Sequence, residues 1–266
     1  MNFLLVFVLV VVSIIIHELA HAIAMHKYGI AIKEISLGLG KLFRLGPFRH
    51  PKFFGGAGVY ATPLLLGASV SPYPTEYKRM EDMPLATRLD VYCAGPWSNI
   101  IFGIILLFTY GLITPGFRTS LFQTLLGLVL LLLIWCTYNR HLRKLINHIV
   151  LPSIGMALLV FVVCGLLSAP TETVGGPIMM ASSTRQYVTG LSAAIFAGAF
   201  FSISIGIFNL LPLFPLDGGR IVKAYLETFN FHGFAMSYSV VSGMAFGGLI
   251  IWAFGCDILR VLGIIH

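Results

Sequence analysis

The chain has 266 residues, 58% of them hydrophobic and only 10% charged, with a formal net charge of +7 and a mean hydropathy of +0.92. So apolar a composition excludes an ordinary soluble domain, and the length accommodates about six bilayer crossings of ~20 residues each. The positive charge follows the alternation of apolar segments rather than forming a patch, which argues against a nucleic-acid partner.

Apolar segments fall at roughly 2–24, 91–113, 121–138, 149–169, 191–214 and 236–256. They predict an all-α polytopic membrane protein of about six transmembrane helices forming one domain over residues 1–266. The first segment has no basic residues ahead of it and reads as a span rather than a leader. From Phe3 to Ala24 its only strongly polar side chains besides Ser13 are His17, Glu18 and His21. Ionisable groups at membrane depth are costly and usually functional.

The interval from Lys27 to Asp90 is the longest polar stretch. Within it, Phe53-Phe54-Gly55-Gly56-Ala57-Gly58-Val59-Tyr60-Ala61-Thr62-Pro63 has the glycine and β-branched/aromatic content of a hairpin or re-entrant loop. A small membrane-associated β-hairpin is therefore expected in this first loop. Placing the loop in the cytosol and alternating the spans leaves only Arg118, Arg185 and Arg260, of 17 basic residues, on the other side. That is a positive-inside pattern, so the basicity reports topology and anionic lipid headgroups.

Ala94-Gly95-Pro96-Trp97-Ser98-Asn99 opens the second span, with the proline in a first helical turn and Asn99 as a hydrogen-bonding link between helices. Cys93, Cys136, Cys164 and Cys256 lie in or beside apolar segments without a CxxC, and read as buried small side chains. Thr173-Val174-Gly175-Gly176-Pro177 looks like a turn. Further on, Asn209-Leu210-Leu211-Pro212-Leu213-Phe214-Pro215-Leu216-Asp217-Gly218-Gly219-Arg220 must interrupt its helix, exposing backbone groups beside an ionisable Asp217. The alternation returns this segment to the side that holds His21.

Two histidines four apart on a helix project from one face and can bind one metal ion, with the intervening glutamate placed to handle a proton. Zinc hydrolases use three protein ligands and keep one position for water, so His17 and His21 need a third partner. The other histidines lie in loops or at ends. Asp217 stands out as the third ligand, and Glu227, in a more amphipathic stretch, is a poorer candidate. The expected roles are His17, His21 and Asp217 as ligands of one Zn²⁺, Glu18 as the base, and Asn209 as an amide donor to the oxyanion.

These residues resemble the site-2 protease family of intramembrane zinc metalloproteases (M50 type). His17-Glu18-Leu19-Ala20-His21 matches its HExxH, and Asn209, Pro212, Leu216, Asp217 and Gly218 match its NxxPxxxLDG segment. Cys93 to Asn99 is similar to its AGPxxN helix start, Gly55 to Val59 sits where relatives carry a membrane-associated β-hairpin, and Val174 to Ile178 is similar to a bacterial segment ahead of the LDG helix. Where many bacterial relatives carry PDZ domains between AGPxxN and LDG, this chain has the two apolar segments near 121–138 and 149–169; no PDZ domain is expected.

The resemblance implies cleavage of a single-pass transmembrane protein near its cytosolic end, after trimming by another protease, in regulated intramembrane proteolysis that releases a signalling or transcription-factor fragment. It implies a multi-pass protein of the Golgi or endoplasmic reticulum membrane if eukaryotic, or of the plasma membrane if prokaryotic, with its active site near the cytosolic face. A hairpin at the Gly55 region would hold the unwound substrate by β-addition. Two other readings are a catalytically silent family member acting as a membrane adaptor, and a metal transporter. An intact Glu18 argues against the first, and the scarcity of polar residues in 121–138 and 149–169 against the second.

Overall fold

Asn2–Lys27 forms a single helix, α1, in the computed structural model, which describes residues 2–38, 44–48, 54–62, 68–114, 121–168 and 190–262. A helix satisfies its own backbone, as a lipid-embedded segment requires. Its 26 residues reach ~39 Å, enough to cross a hydrocarbon core of about 30 Å. Ser13, His17, His21 and Met25, four residues apart, are all buried and form one stripe along it. The helix stops at Gly29, whose φ of +70° lets Ile30 N–H reach back to Met25 O at 3.0 Å.

Beyond it a four-stranded sheet stands in place of a hairpin confined to 53–63. Four strands, β1 (Ile32–Leu37), β2 (Leu45–Phe48), β3 (Gly58–Ala61) and β4 (Ala68–Pro72), form one sheet in the order β2-β3-β1-β4. Only β3 falls in the 53–63 stretch expected as a hairpin; it pairs antiparallel with β2 and parallel with β1, and β1 pairs antiparallel with β4. The glycine-rich stretch thus supplies an inner strand, and among the described residues the outermost strands are β2 and β4. In β1, Ile32 and Ile35 are buried in a cluster with Ala22 and Met25 of α1 and Met80 of α2 (Pro74–Glu81); they lie three apart across the register shift between Ile32 and Glu34.

α3 runs from Leu85 to Ile113, beginning before the apolar stretch, so Pro96 lies inside the helix rather than in its first turn. Proline lacks the N–H that would bond the Tyr92 carbonyl, so the helix forgoes that bond. α4 (Leu121–Tyr138) covers the apolar segment foreseen there. The basic stretch left between the apolar segments at 121–138 and 149–169 is helical rather than a loop: Asn139 caps α5 (Arg140–Leu145) by accepting from His141 and Leu142 N–H at 3.0 and 3.2 Å. α5 continues through a π-helical turn, Ile146–Val150, into α6 (Leu151–Ser168). That turn is tied to the rest by Asn147 Nδ2 donating to Asp90 Oδ1 at 2.8 Å and by Tyr225 donating to His148 O at 2.8 Å. Tyr28 also donates to Asp90, and burial together with that bond pushes its hydroxyl pKa up to about 12.

α7 (Leu191–Phe208) packs against both α1 and α3 through Ala194, Gly198, Ala199, Ser202 and Gly206, a buried stripe of small residues that permits close helix approach. It ends at Phe208 rather than at 214, because Pro212 and Pro215 cannot continue a helix. After the turn at 209–216 come α8 (Asp217–Thr228) and α9 (His232–Val261). The described residues contain five helices long and apolar enough to cross a membrane: α1, α3, Arg140–Val162 of the α5–α6 unit, α7 and α9. The Thr173–Pro177 turn lies outside the described residues.

Candidate metal centre

The buried stripe of α1 meets α3 and the start of α8 at one point. His17 Nε2 lies 3.0 Å from Asp217 Oδ2, His21 Nε2 lies 3.2 Å from the same oxygen, and the two Nε2 atoms are 3.2 Å apart. The three residues are 6%, 5% and 4% exposed. Three such atoms converging without another partner between them match the ligand edge of a tetrahedral zinc site, which is about 3.3 Å for bonds of ~2.0–2.1 Å. The donor set, two imidazoles and one carboxylate, suits zinc, and His17, His21 and Asp217 form the one group of this kind among the described residues.

The far side of each imidazole is also held. His21 Nδ1 donates to Val91 O at 2.8 Å, which places its proton away from the centre and leaves the Nε2 lone pair free. His17 Nδ1 faces the amide of Asn99 at 3.1 Å. Between Val91 and Asn99 sits Gly95: a methyl added there would lie 2.4 Å from His21 Nε2 and 2.5 Å from His17 Nε2. The backbone of α3 is therefore the floor of the site, and only a residue without Cβ leaves room for it.

Asp217 arrives through the turn that the two prolines impose. Gly218 N–H donates to Asn209 O at 2.7 Å, and a Cβ at Gly218 would come within 2.1 Å of Leu210 O, so the chain folds back on the first turn of α8 only over a glycine. From α9, Tyr238 donates to Pro212 O at 2.7 Å and Ser242 Oγ accepts from Phe214 N–H at 3.2 Å. The ligand is held by its own loop and by the following helix.

The structure thus brings together His17, His21 and Asp217 as the sequence predicts. Glu18 is half-buried beside them, within electrostatic reach of His17, His21, Asp217 and Arg220. Asn209 commits one amide hydrogen to Ile205 O at 2.9 Å, capping the end of α7 while its carbonyl anchors Gly218. Glu227 is accounted for elsewhere: it pairs with buried Arg88 and with Lys223 at 2.9 Å. Burial alone would raise the Glu227 carboxyl pKa, but hydrogen bonds from Lys223 and Arg88 outweigh it and hold the group below its usual range. Burial would lower the Lys223 ammonium, and its bonds to Glu81 and Glu227 push it up instead.

Val91, Gly95 and Asn99 were not foreseen as part of the centre. Their spacing of four on one helix, next to a stripe of the same spacing on α1, is the signal that could have found them. A cavity of about 250 Å³ opens alongside, lined by Met25, Val70, Tyr92, Phe214, Arg220 and Lys223 among others. Arg220 Nη1 is 4.0 Å from Asp217 Oδ1, so this cavity borders the centre.

A buried cluster of two histidines and one carboxylate, with a glutamate between the histidines, is thus set among membrane-length helices and could hold a metal ion. The chain belongs to Peptidase family M50, whose family model matches residues 5–251. It is similar to zinc metalloprotease RasP of Oceanobacillus iheyensis (38% identical over 79 residues, 24% of this chain and 19% of that protein). RasP of Shouchella clausii is 36% identical over 73 residues, 26% of this chain and 18% of that protein. An Agrobacterium fabrum protein, Atu1380, is 33% identical over 97 residues, 35% of this chain and 26% of that protein. The chain thus spans about a quarter or less of the length of the curated relatives it matches.

Proposed function

We propose that this protein is an intramembrane zinc endopeptidase that cleaves a single-pass transmembrane protein near the cytosolic end of its span. The observation that carries this reading is the convergence of His17, His21 and Asp217 next to Glu18 in the membrane-embedded core. In this reading α4 is a sixth span, the four-stranded sheet lies at the cytosolic face, and the substrate has been trimmed by another protease. Release of a signalling or transcription-factor fragment is the outcome, in the plasma membrane of a prokaryote or the Golgi or endoplasmic reticulum of a eukaryote.

The residues divide the work. His17, His21 and Asp217 hold the Zn²⁺, which when bound lowers the pKa of its water toward ~7 and polarises a peptide carbonyl. Glu18 takes the proton of the attacking water and returns it to the leaving amine. The amide hydrogen of Asn209 that Ile205 does not take is the donor for the carbonyl oxygen. A helical substrate must unwind before attack, since its carbonyls are hydrogen-bonded in lipid. The unwound strand adds to the outer edge of β4, whose Val70 and Pro72 line the same cavity as Tyr92 and Arg220.

The test is Glu18→Gln in membranes carrying the full chain. Zinc content should equal the wild type while cleavage falls by about 10²–10⁴-fold, the usual loss for a general base. Membrane proteomics of the two strains should show single-pass fragments accumulating in the variant. Wild-type cleavage by the glutamine variant would refute the assigned base.

A further inference from the structure

Asn99 is wholly buried where α3 meets α1 and α7. Its backbone carbonyl accepts from Ser202 Oγ at 2.9 Å, and an added Cβ on Gly206 of α7 would sit 3.1 Å from Asn99 Cβ, so the residue is clamped from two sides. Its Nδ2 faces His17 Nδ1 at 3.1 Å, while its enclosed Oδ1 has no hydrogen-bond partner among the described residues. That orientation conflicts with a metal-binding His17. An amide nitrogen only donates, so His17 Nδ1 would have to be bare. A neutral imidazole would then carry its proton on Nε2, the atom that points at His21 and Asp217. A half-turn of the amide exchanges its oxygen and nitrogen within the same volume, and no bond to Oδ1 is lost by it.

We propose that Asn99 is a positioning residue for the metal: Oδ1 accepts from His17 Nδ1–H and fixes the tautomer whose Nε2 lone pair faces the centre. His17 is then held as His21 is, whose Nδ1 donates to the Val91 carbonyl. Both imidazoles are fixed from α3, one by the backbone of Val91 and one by the side chain of Asn99, eight residues apart on the same face. The inference rests on the metal reading of the triad.

The experiment measures Zn²⁺ affinity of the purified full chain in detergent, by competition with a chromophoric chelator, together with the visible spectrum of the Co²⁺ form. Asn99→Asp keeps the shape and the acceptor but cannot donate; it should bind Zn²⁺ within about threefold of the wild type or more tightly, with an unchanged Co²⁺ spectrum. Asn99→Leu removes the acceptor and should weaken binding by about 10–100-fold. An aspartate variant weakened tenfold or more would overturn the proposal even if the leucine variant does not fold, and so would a folded leucine variant with wild-type affinity. Absence of Zn²⁺ binding by the wild type would instead remove the metal reading itself.

Discussion

Gly95→Ala puts one methyl group into the metal centre. The added carbon would sit 2.4 Å from His21 Nε2 and 2.5 Å from His17 Nε2, about 1 Å short of ordinary contact. Relief must come from the imidazoles or from α3, and α3 is held at this level by the packing of α7. In a helix interior, alanine would ordinarily stabilise by about 0.5–1 kcal/mol over glycine. Here overpacking costs about 1–3 kcal/mol and outweighs that gain. The larger effect falls on the site: displacing ligands by ~1 Å should weaken Zn²⁺ binding and cleavage by about 100-fold or more. Gly233 in α9 is the control, since nothing lies within 4 Å of a Cβ there, and Gly233→Ala should behave as wild type. The assays are zinc content after dialysis against a weak chelator, cleavage of a single-pass substrate, and thermal unfolding in detergent. A folded Gly95→Ala protein with wild-type zinc content and cleavage would refute the assignment of α3 as the floor of the site.

Asp217→Ala leaves two imidazoles, so it should lose zinc during purification and lose cleavage with it, with no rescue by micromolar Zn²⁺. Retained stoichiometric zinc would place the third ligand elsewhere. Glu227→Gln should destabilise by about 3–5 kcal/mol, because Arg88 is 3% exposed and would keep a buried charge without its carboxylate. The same pair sets an acid limit. The Glu227 carboxyl is held below its usual value, so its contribution is full above the unfolded value of about 4.3 and is lost as pH falls through the lower folded value. Unfolding temperatures taken between pH 7 and pH 3 should therefore fall more steeply in the wild type than in the glutamine variant, and parallel curves would exclude this linkage.

Membrane residence and the histidine–aspartate cluster were legible because each depends on local pattern. Long apolar runs declare themselves by composition. Two histidines four apart share a helix face whatever surrounds them, and Asp217 stands out as a carboxylate among prolines, glycines and apolar residues. The β-region was legible only in part. Glycine and β-branched residues marked a hairpin, but the pairing of β3 with β1 joins segments separated by more than twenty residues, and no local signal selects that neighbour. The basic stretch at Arg140–Leu145 read as a loop because its charges dominate; the cap from Asn139 and the contacts of the π-helical turn make it helical.

By itself, then, the amino-acid order singled out the candidate side chains: His17, Glu18, His21 and Asp217 stand out as ionisable groups in or beside apolar segments. Tertiary structure decided what makes them a centre. Only packing brings α3 across α1 so that Val91, Gly95 and Asn99 meet the two imidazoles, and only the turn over Gly218 delivers Asp217 to them. These partners are a backbone carbonyl, an absent side chain and an amide. None has a composition that announces chemistry, and each acquires its part from position alone.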